Sequence, residues 1–448
     1  MMADNSGSGI GHSNMEHNQI VQQLSARLIS LTVEGIDYVV SVTTIDRDSI
    51  HFIEGNPDNG VLPPNQYTLD SITLKLFKEG RATSISATHI NDASDLDRLL
   101  EQAKGMMLPS NEVPMEPQQY PKLNLYDEET ARLSRQDLVD VGKRINAILA
   151  DERLKDQTMI IAVRKNIAST TVFSSKGLRE TYDETYFNVS VSSRKLDYDK
   201  SFHARAFKEF DLESYAKKVR DFALGSLQKA EGFEEGTYTA VFAPEVFEEM
   251  ITNFLLYSHD AKNVVDGSSR FNREDQGKPS YSERLTVYAD GALDMGVESA
   301  PFDSEGTPTG RRFLVKDGII GFWGHKKYTG QLGLESLGEA DGVRNLRVEP
   351  EKASPSYDAM LSQQGKVVLI TSLYPMHTKK SASQGEMNLS ATGLLYENGN
   401  VVGRINAMID GVDFYKLLAG ESDFRLSSDT VQGLPALEAK VRFNVKGK

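Results

Sequence analysis

The chain has 448 residues, more than one compact domain usually holds, so two or three domains are expected. With 39% hydrophobic and 25% charged residues, wholesale disorder is excluded, and no apolar run approaches the roughly 20 residues that span a bilayer. A net charge of -14 repels phosphate backbones, and the lack of cysteine removes disulfides, thiolate metal sites and a thiol nucleophile together.

Residues 1–19 are polar, lack the apolar centre of a signal peptide and read as a disordered tail, so a cytosolic compartment is expected. An N-terminal α+β domain is predicted over 20–105. "QIVQQLSARLISL" is helix-like, and "DYVVSVTTIDRDSIHFIEG" alternates as strands do. "DSITLKLFKEGRATSISATHI" reads as a hairpin around Lys78-Glu79-Gly80, and a helix capped by Asp92 or Ser94 runs toward Gly105. Pro109, Pro114, Pro117 and Pro121 forbid regular structure and mark a linker over 106–122.

A central α+β domain is predicted over 123–235. Its first helix carries Leu138, Val141, Ile145 and Leu149 at helical spacing behind a Ser134 cap. Strand-like runs follow near 158–164, 170–175, 185–194 and 199–208, then the helix "DLESYAKKVRDFALGSLQKAE". From 236 to 448 one helix, Pro244 to about His259, precedes short strands separated by Gly, Asn and Asp turns, with Asn398-Gly399 a strong hairpin signal. The fold class expected is therefore α+β: a mixed N-terminal region with antiparallel strands, then a β-rich sandwich or distorted barrel.

Catalytic chemistry is hard to find. The histidines are His12, His17, His51, His89, His203, His259, His325 and His377. Only His12 and His17 are close, and they lie in the polar tail, where no scaffold is expected to fix them. No G-x-S-x-G, phosphate-binding loop or dinucleotide fingerprint occurs. "PEVFEEMITNFLLYSHD" places Val246, Phe247, Met250, Ile251, Phe254 and Leu255 on one apolar stripe. A zinc hydrolase would project two imidazoles from such a helix beside a general-base glutamate, and this one reads instead as a core-packing helix.

"APFDSEGTPTGRRFLVKDGIIGFW" (300–323), preceded by "DGSSRF" and followed by "KKYTGQLGLESLGEADGVRNLRVEP", resembles the TldD/PmbA family of paired peptidase subunits, historically called modulators of DNA gyrase. "SITLKLFKEGRATSISA" and "GEMNLSATGLLYENGNVV" extend the resemblance over about 30–445. In the family's zinc-bearing TldD branch a His-Glu-x-x-x-His helix and a later cysteine hold the metal. Thr252–Tyr257, the matching stretch, has neither histidine nor glutamate, and "PFDSEG" is the form found in the zinc-free PmbA, or TldE, branch.

The resemblance implies a non-catalytic subunit that pairs with a TldD-like zinc subunit and shapes a channel for unfolded peptide. No cofactor is expected in this chain, and zinc is expected in the partner. No catalytic or metal-binding residue is assigned. Peptide-contact candidates are Ser268, Ser269, Arg270, Phe302, Asp303, Ser304, Glu305, Gly306, Arg311 and Asn345. A purely structural part for these residues is the competing reading: a tight turn for Asp303, Ser304 and Gly306, and surface ion pairs for Arg270 and Arg344. Two rival functions stand beside the first: a stand-alone homodimeric peptide-binding protein, and a hydrolase with a metal site built from dispersed side chains.

Overall fold

The alternating runs of the N-terminal half become one antiparallel sheet. The computed structural model describes residues 10–53, 65–88, 93–110, 112–196, 198–374, 382–421 and 423–445; His89, Asp92 and His377 lie outside these. The chain divides into two compact units, Met1–Lys217 with Asp294–Val297, and Lys218–Leu293 with Glu298–Lys448.

In the first unit, strands β1 (Asp37–Ile53), β2 (Asn65–Lys78), β3 (Arg81–Thr88), β4 (Leu108–Pro109), β5 (Ile160–Ser174), β6 (Arg179–Ser193) and β7 (Tyr198–Ala204) form a sheet in the order β4-β3-β2-β1-β5-β6-β7. The regions expected as separate domains over 20–105 and 123–235 thus share one sheet, and 218–235 belong to the second unit. β1 pairs with β5 from Val39↔Ser174 to Ile53↔Ile160, a continuous ladder across the proline-rich segment. The runs expected at 158–164 and 170–175 are likewise a single strand. The polar interruption that divided them is accommodated by burial with partners: Lys165 Nζ donates to the carbonyls of Ala131 and Leu133.

Helix α1 spans Ile10–Val33, so the tail expected over 1–19 is helical from Ile10. Val21, Leu24, Leu28 and Leu31 form its buried stripe, and His17 sits one turn N-terminal on the same face. A polar residue at a stripe position hid this turn in the sequence. His17 is buried, with Nδ1 2.9 Å from Thr44 Oγ1 and Nε2 2.9 Å from Thr171 Oγ1. Thr44 donates to Asp70, so it accepts from His17 Nδ1–H, and Nε2 accepts from Thr171.

α1 and α2 (Ala93–Gly105) pack on Val40, Val42, Ile72, Leu74 and Leu76. α3 (Glu128–Arg132) and α4 (Arg135–Leu149) lie on the same side, α4 so closely that Gly142 has no room for a Cβ beside the Phe52 ring. The expected Ser134 cap is present as a capping box with Asp137, and Leu138, Val141, Ile145 and Leu149 are buried. α5, Leu212–Gly225, carries the boundary between the units.

The second unit is built round a closed barrel. β8 (Gly236–Phe242), β13 (Lys366–Tyr374), β15 (Ser390–Glu397), β16 (Asn400–Asp410) and β19 (Leu437–Asn444) are joined in the order β16-β15-β13-β8-β19, and β16 pairs back to β19 to close the ring. Only β8 and β13 run parallel. β18 (Phe424–Leu426) extends the sheet beyond β19. β9 (Val287–Asp290), β10 (Arg311–Lys316), β11 (Ile319–Ile320) and β12 (Leu346–Val348) make a smaller sheet, and β14 (Glu386–Met387) pairs with β17 (Val412–Asp413).

The Asn398-Gly399 signal is realised as a two-residue turn: Glu397 pairs with Asn400, and φ is 50° and 81° at the two turn residues. Glu79-Gly80 and Asp317-Gly318 make turns of the same length and positive-φ pattern.

Candidate functional site

α6, Pro244–Met250, begins with proline at its first turn and continues as a π-helical stretch Ile251–Leu256 and a last turn Tyr257–His259. Val246, Phe247, Met250, Ile251, Phe254 and Leu255 are buried, as their spacing predicts. The wider register spans five of the six residues, Thr252–Tyr257, that match the metal-binding stretch of the zinc-bearing branch.

A helix leaves its last carbonyls without partners. Here side chains from elsewhere in the unit occupy them. Tyr415 Oη lies 2.8 Å from Phe254 O and 2.6 Å from Ala382 O, and it is also hydrogen-bonded to Ser258 Oγ. Trp323 Nε1 donates to Leu256 O at 3.0 Å, Asn263 Nδ2 to Tyr257 O at 2.8 Å and Ser269 Oγ to Ser258 O at 2.6 Å. The backbone N–H of Trp323 donates to His259 O. Both ends of the family-like sequence, "DGSSRF" and "IIGFW", therefore converge on this helix end.

His259 completes the arrangement. It is fully buried beside Phe271, Tyr281 and Phe322. Gly321 O can only accept, so Nδ1 carries the proton and donates to it at 2.7 Å, while Nε2 accepts from the Tyr281 hydroxyl at 2.8 Å. Burial pushes the imidazole pKa down to about 4 and that of the Tyr281 hydroxyl well up, so both stay neutral.

The predicted contact residues fall into three groups in this unit: the helix end, the loop at 302–306, and Arg311 with Asn345 at Asp290. At the helix end, Ser268 is exposed and bonded to Asn263, Ser269 is a carbonyl cap, and Arg270 lies over the Tyr415 ring, 4.7 Å from its centroid, donating to Gln384 O. The second group is the loop at 302–306. Phe302 and Asp303 are buried. Asp303 Oδ1 accepts from the N–H groups of Glu305 and Thr307, and Oδ2 from Ala340 N–H, while Gly306 closes the turn at φ 76°. Asp303 and Gly306 are scaffold, because every carboxylate bond goes to backbone. Ser304 is exposed, its N–H donating to Asp341.

Asn345 is also scaffold: buried, it binds Asp290 O, Ser299 Oγ and Glu298 N–H. Arg311 pairs with the Asp290 carboxylate at 2.8 Å and stacks on Tyr288, leaving about half its side chain exposed. Arg344 donates to Glu298 O and pairs with Asp341. Of the ten candidates, Ser268, Arg270, Ser304 and Arg311 are exposed.

Two pairs were missed from sequence. His325 Nδ1 accepts from Lys327 N–H, so Nε2–H donates to Glu305 at 2.7 Å. Arg312 forms a fork-to-fork pair with buried Glu339, at 2.9 and 3.0 Å. The second pair joins residues twenty-seven positions apart that no local pattern links.

Zinc needs ligands with free lone pairs, typically imidazole or thiolate. Both His259 nitrogens are engaged, the stretch Thr252–Tyr257 carries neither imidazole nor carboxylate, and the chain has no thiol. The residues at this helix end do not fit the metal.

Fold and site together define a two-unit α+β protein whose second unit is built round a closed β-barrel. Residues 235–431 match the PmbA/TldA metallopeptidase C-terminal domain. Over 164 residues the chain is 34% identical to Metalloprotease PmbA of Escherichia coli O157:H7, covering 36% of this chain and 35% of that protein. Matches to the curated relatives span about a third to a half of their lengths.

The whole fold is shared with two crystal structures. One is a candidate modulator of a DNA gyrase from Thermotoga maritima (TM-score 0.77, 19% identity, 94% of this chain and 99% of that one). The other is TldE from Thermococcus kodakarensis (TM-score 0.75, 18% identity, 94% and 100%). Residues 235–431 thus carry a domain similar to those of the TldD/PmbA family. Among the described residues no helix is long and apolar enough to cross a membrane.

Proposed function

We propose that this chain is a zinc-free, PmbA/TldE-like subunit of a two-component metallopeptidase: it holds no catalytic metal itself and helps a zinc-bearing relative to enclose unfolded peptide. The observation that carries this reading is the helix end. Where a catalytic relative would need outward imidazoles, the stretch from Phe254 to His259 spends its carbonyls on Tyr415, Trp323, Asn263 and Ser269 and its histidine on Gly321 and Tyr281. Such a helix end is a rigid wall rather than a ligand set. Among the described residues no three His, Cys, Asp or Glu side chains are grouped to hold a metal ion.

The chain's contribution is then positional. Arg270, Ser304 and Arg311 offer exposed polar groups on a fixed frame, and the partner's zinc supplies the Lewis acid and activated water. The decisive experiment is co-expression with a zinc-bearing relative, followed by a peptidase assay with and without this chain. Cleavage is expected only from the pair, with zinc in the partner. Full-rate cleavage by the zinc subunit alone, or by this chain alone, contradicts the reading. A chain that forms only its own dimer and never captures the relative supports the homodimeric peptide binder instead.

A further inference from the structure

The helices of the first unit cover one side of its sheet, and the other side carries an unexpected set of side chains. Residues paired in register point to the same side. On β1 the even-numbered Val40, Val42 and Phe52 face the helices, so Arg47 and Ser49 face away from them. Two adjacent rows follow on that second side: Tyr67–Arg47–Asn166–Tyr186 across β2, β1, β5 and β6, and Ser49–Arg164–Asn188–His203 across β1, β5, β6 and β7, with Ser49 and Asn188 buried and both arginines partly exposed. Arg47 and Arg164 are diagonal neighbours, with Cα atoms about 7–8 Å apart.

Each guanidinium is held by an amide rather than a carboxylate. Arg47 Nε donates to Asn166 Oδ1 at 3.0 Å and Nη1 to the Tyr67 hydroxyl at 2.6 Å, and Arg164 Nη1 donates to Asn188 Oδ1 at 2.9 Å. Of the five N–H donors on a guanidinium, Arg47 thus commits two and Arg164 one. Among the described residues neither has a carboxylate within ion-pair distance, in a chain with 64 acidic and 50 basic residues. Asp46 and Asp48, the acidic neighbours of Arg47 on β1, have the parity of the helix side. Tyr67, at the end of its row, is 39% exposed.

We propose that this face binds the carboxylates of an acidic, extended peptide segment, Arg47 and Arg164 together forming the anion subsite. The charge is complementary, the amides hold both forks in place before binding, and the uncommitted N–H groups match the geometry of a carboxylate. The proposal rests on the peptide-handling reading above and gives it a preference: acidic segments over neutral ones. Because the subsite lies within one unit, binding needs no partner subunit.

The test uses the full-length chain and two fluorescein-labelled nonapeptides, one alternating Ala with Glu and one alternating Ala with Gln, read by fluorescence anisotropy at low salt. The acidic peptide is expected to bind roughly ten-fold more tightly than the neutral one, and Arg47→Gln with Arg164→Gln to remove that difference. Equal affinity of the wild-type chain for both peptides overturns the subsite while leaving peptide handling intact. Binding of neither peptide overturns the subsite too, and co-expression then judges the peptidase reading separately. If the double variant misfolds on thermal melting, Arg47→Gln alone, at the more exposed row, is expected to lose at least half of the preference on a logarithmic scale. A double variant that changes oligomeric state but not peptide affinity assigns the face to a second copy of the chain and refutes the proposal.

Discussion

At the scale of single residues, His259 makes the most direct prediction. Its folded pKa of about 4 lies below the ordinary value of 6.5, so between these values the unfolded chain binds the extra proton. The stability contributed by the neutral imidazole is complete above pH 6.5 and is lost as pH falls toward 4, at most about 3 kcal/mol. His17, whose pKa burial also lowers, acts in the same direction. Urea unfolding across this range should show the loss in the native chain and a flatter profile in His259→Gln; parallel profiles would rule the assignment out. Gly318 gives a second residue-scale test. It sits at φ 77°, and a Cβ there would lie 2.5 Å from Tyr281 O. Gly318→Ala should therefore destabilise by more than about 2 kcal/mol, because the clash is with backbone and adds to left-handed strain.

At the scale of elements, the end of the α6 helix depends on distant caps. Ser269→Ala leaves the buried Ser258 carbonyl without its side-chain donor and should cost about 1–2 kcal/mol. Tyr415→Phe removes the hydroxyl shared by Phe254 O, Ala382 O and Ser258 and should cost about 1–3 kcal/mol. Denaturant midpoints measure both, and hydrogen exchange should localise the second loss to residues 250–259. A Tyr415→Phe protein as stable as the native one would mean that water replaces the hydroxyl and the wall is not dry. The turns were legible beforehand because Asn-Gly and Glu-Gly pairs state their backbone conformation locally. The π-helical widening was not, since it depends on what the surrounding loops offer the carbonyls.

For the whole molecule, the consequential feature is the single sheet of the first unit. β1 lies before the proline-rich segment and β5 after it, yet they share the longest ladder in the structure. Cleavage at an engineered protease site in the exposed Gln118–Gln119 stretch should leave the two pieces associated on size-exclusion chromatography without denaturant. Separation into free fragments would restore the two independent domains that the prolines suggest. Chain breakers report where regular structure stops, not where a folding unit ends, and here the ladder runs past them.

Much of this protein is local and was readable in order along the chain. The amphipathic stripe of α4 and its Ser134 cap, the Xaa-Gly hairpins and the apolar helix that lacks imidazoles are stated within a few residues each. Cysteine's absence is a property of composition alone. Tertiary structure decided the rest, because it depends on which distant groups meet: that His17 belongs to a buried helix face, that β1 finds β5, that Asp303 spends its carboxylate on backbone, and that Arg47 and Arg164 meet amides instead of acids. Strand register and burial are settled by the free energy of the assembled sheet, and no short window of sequence contains that sum.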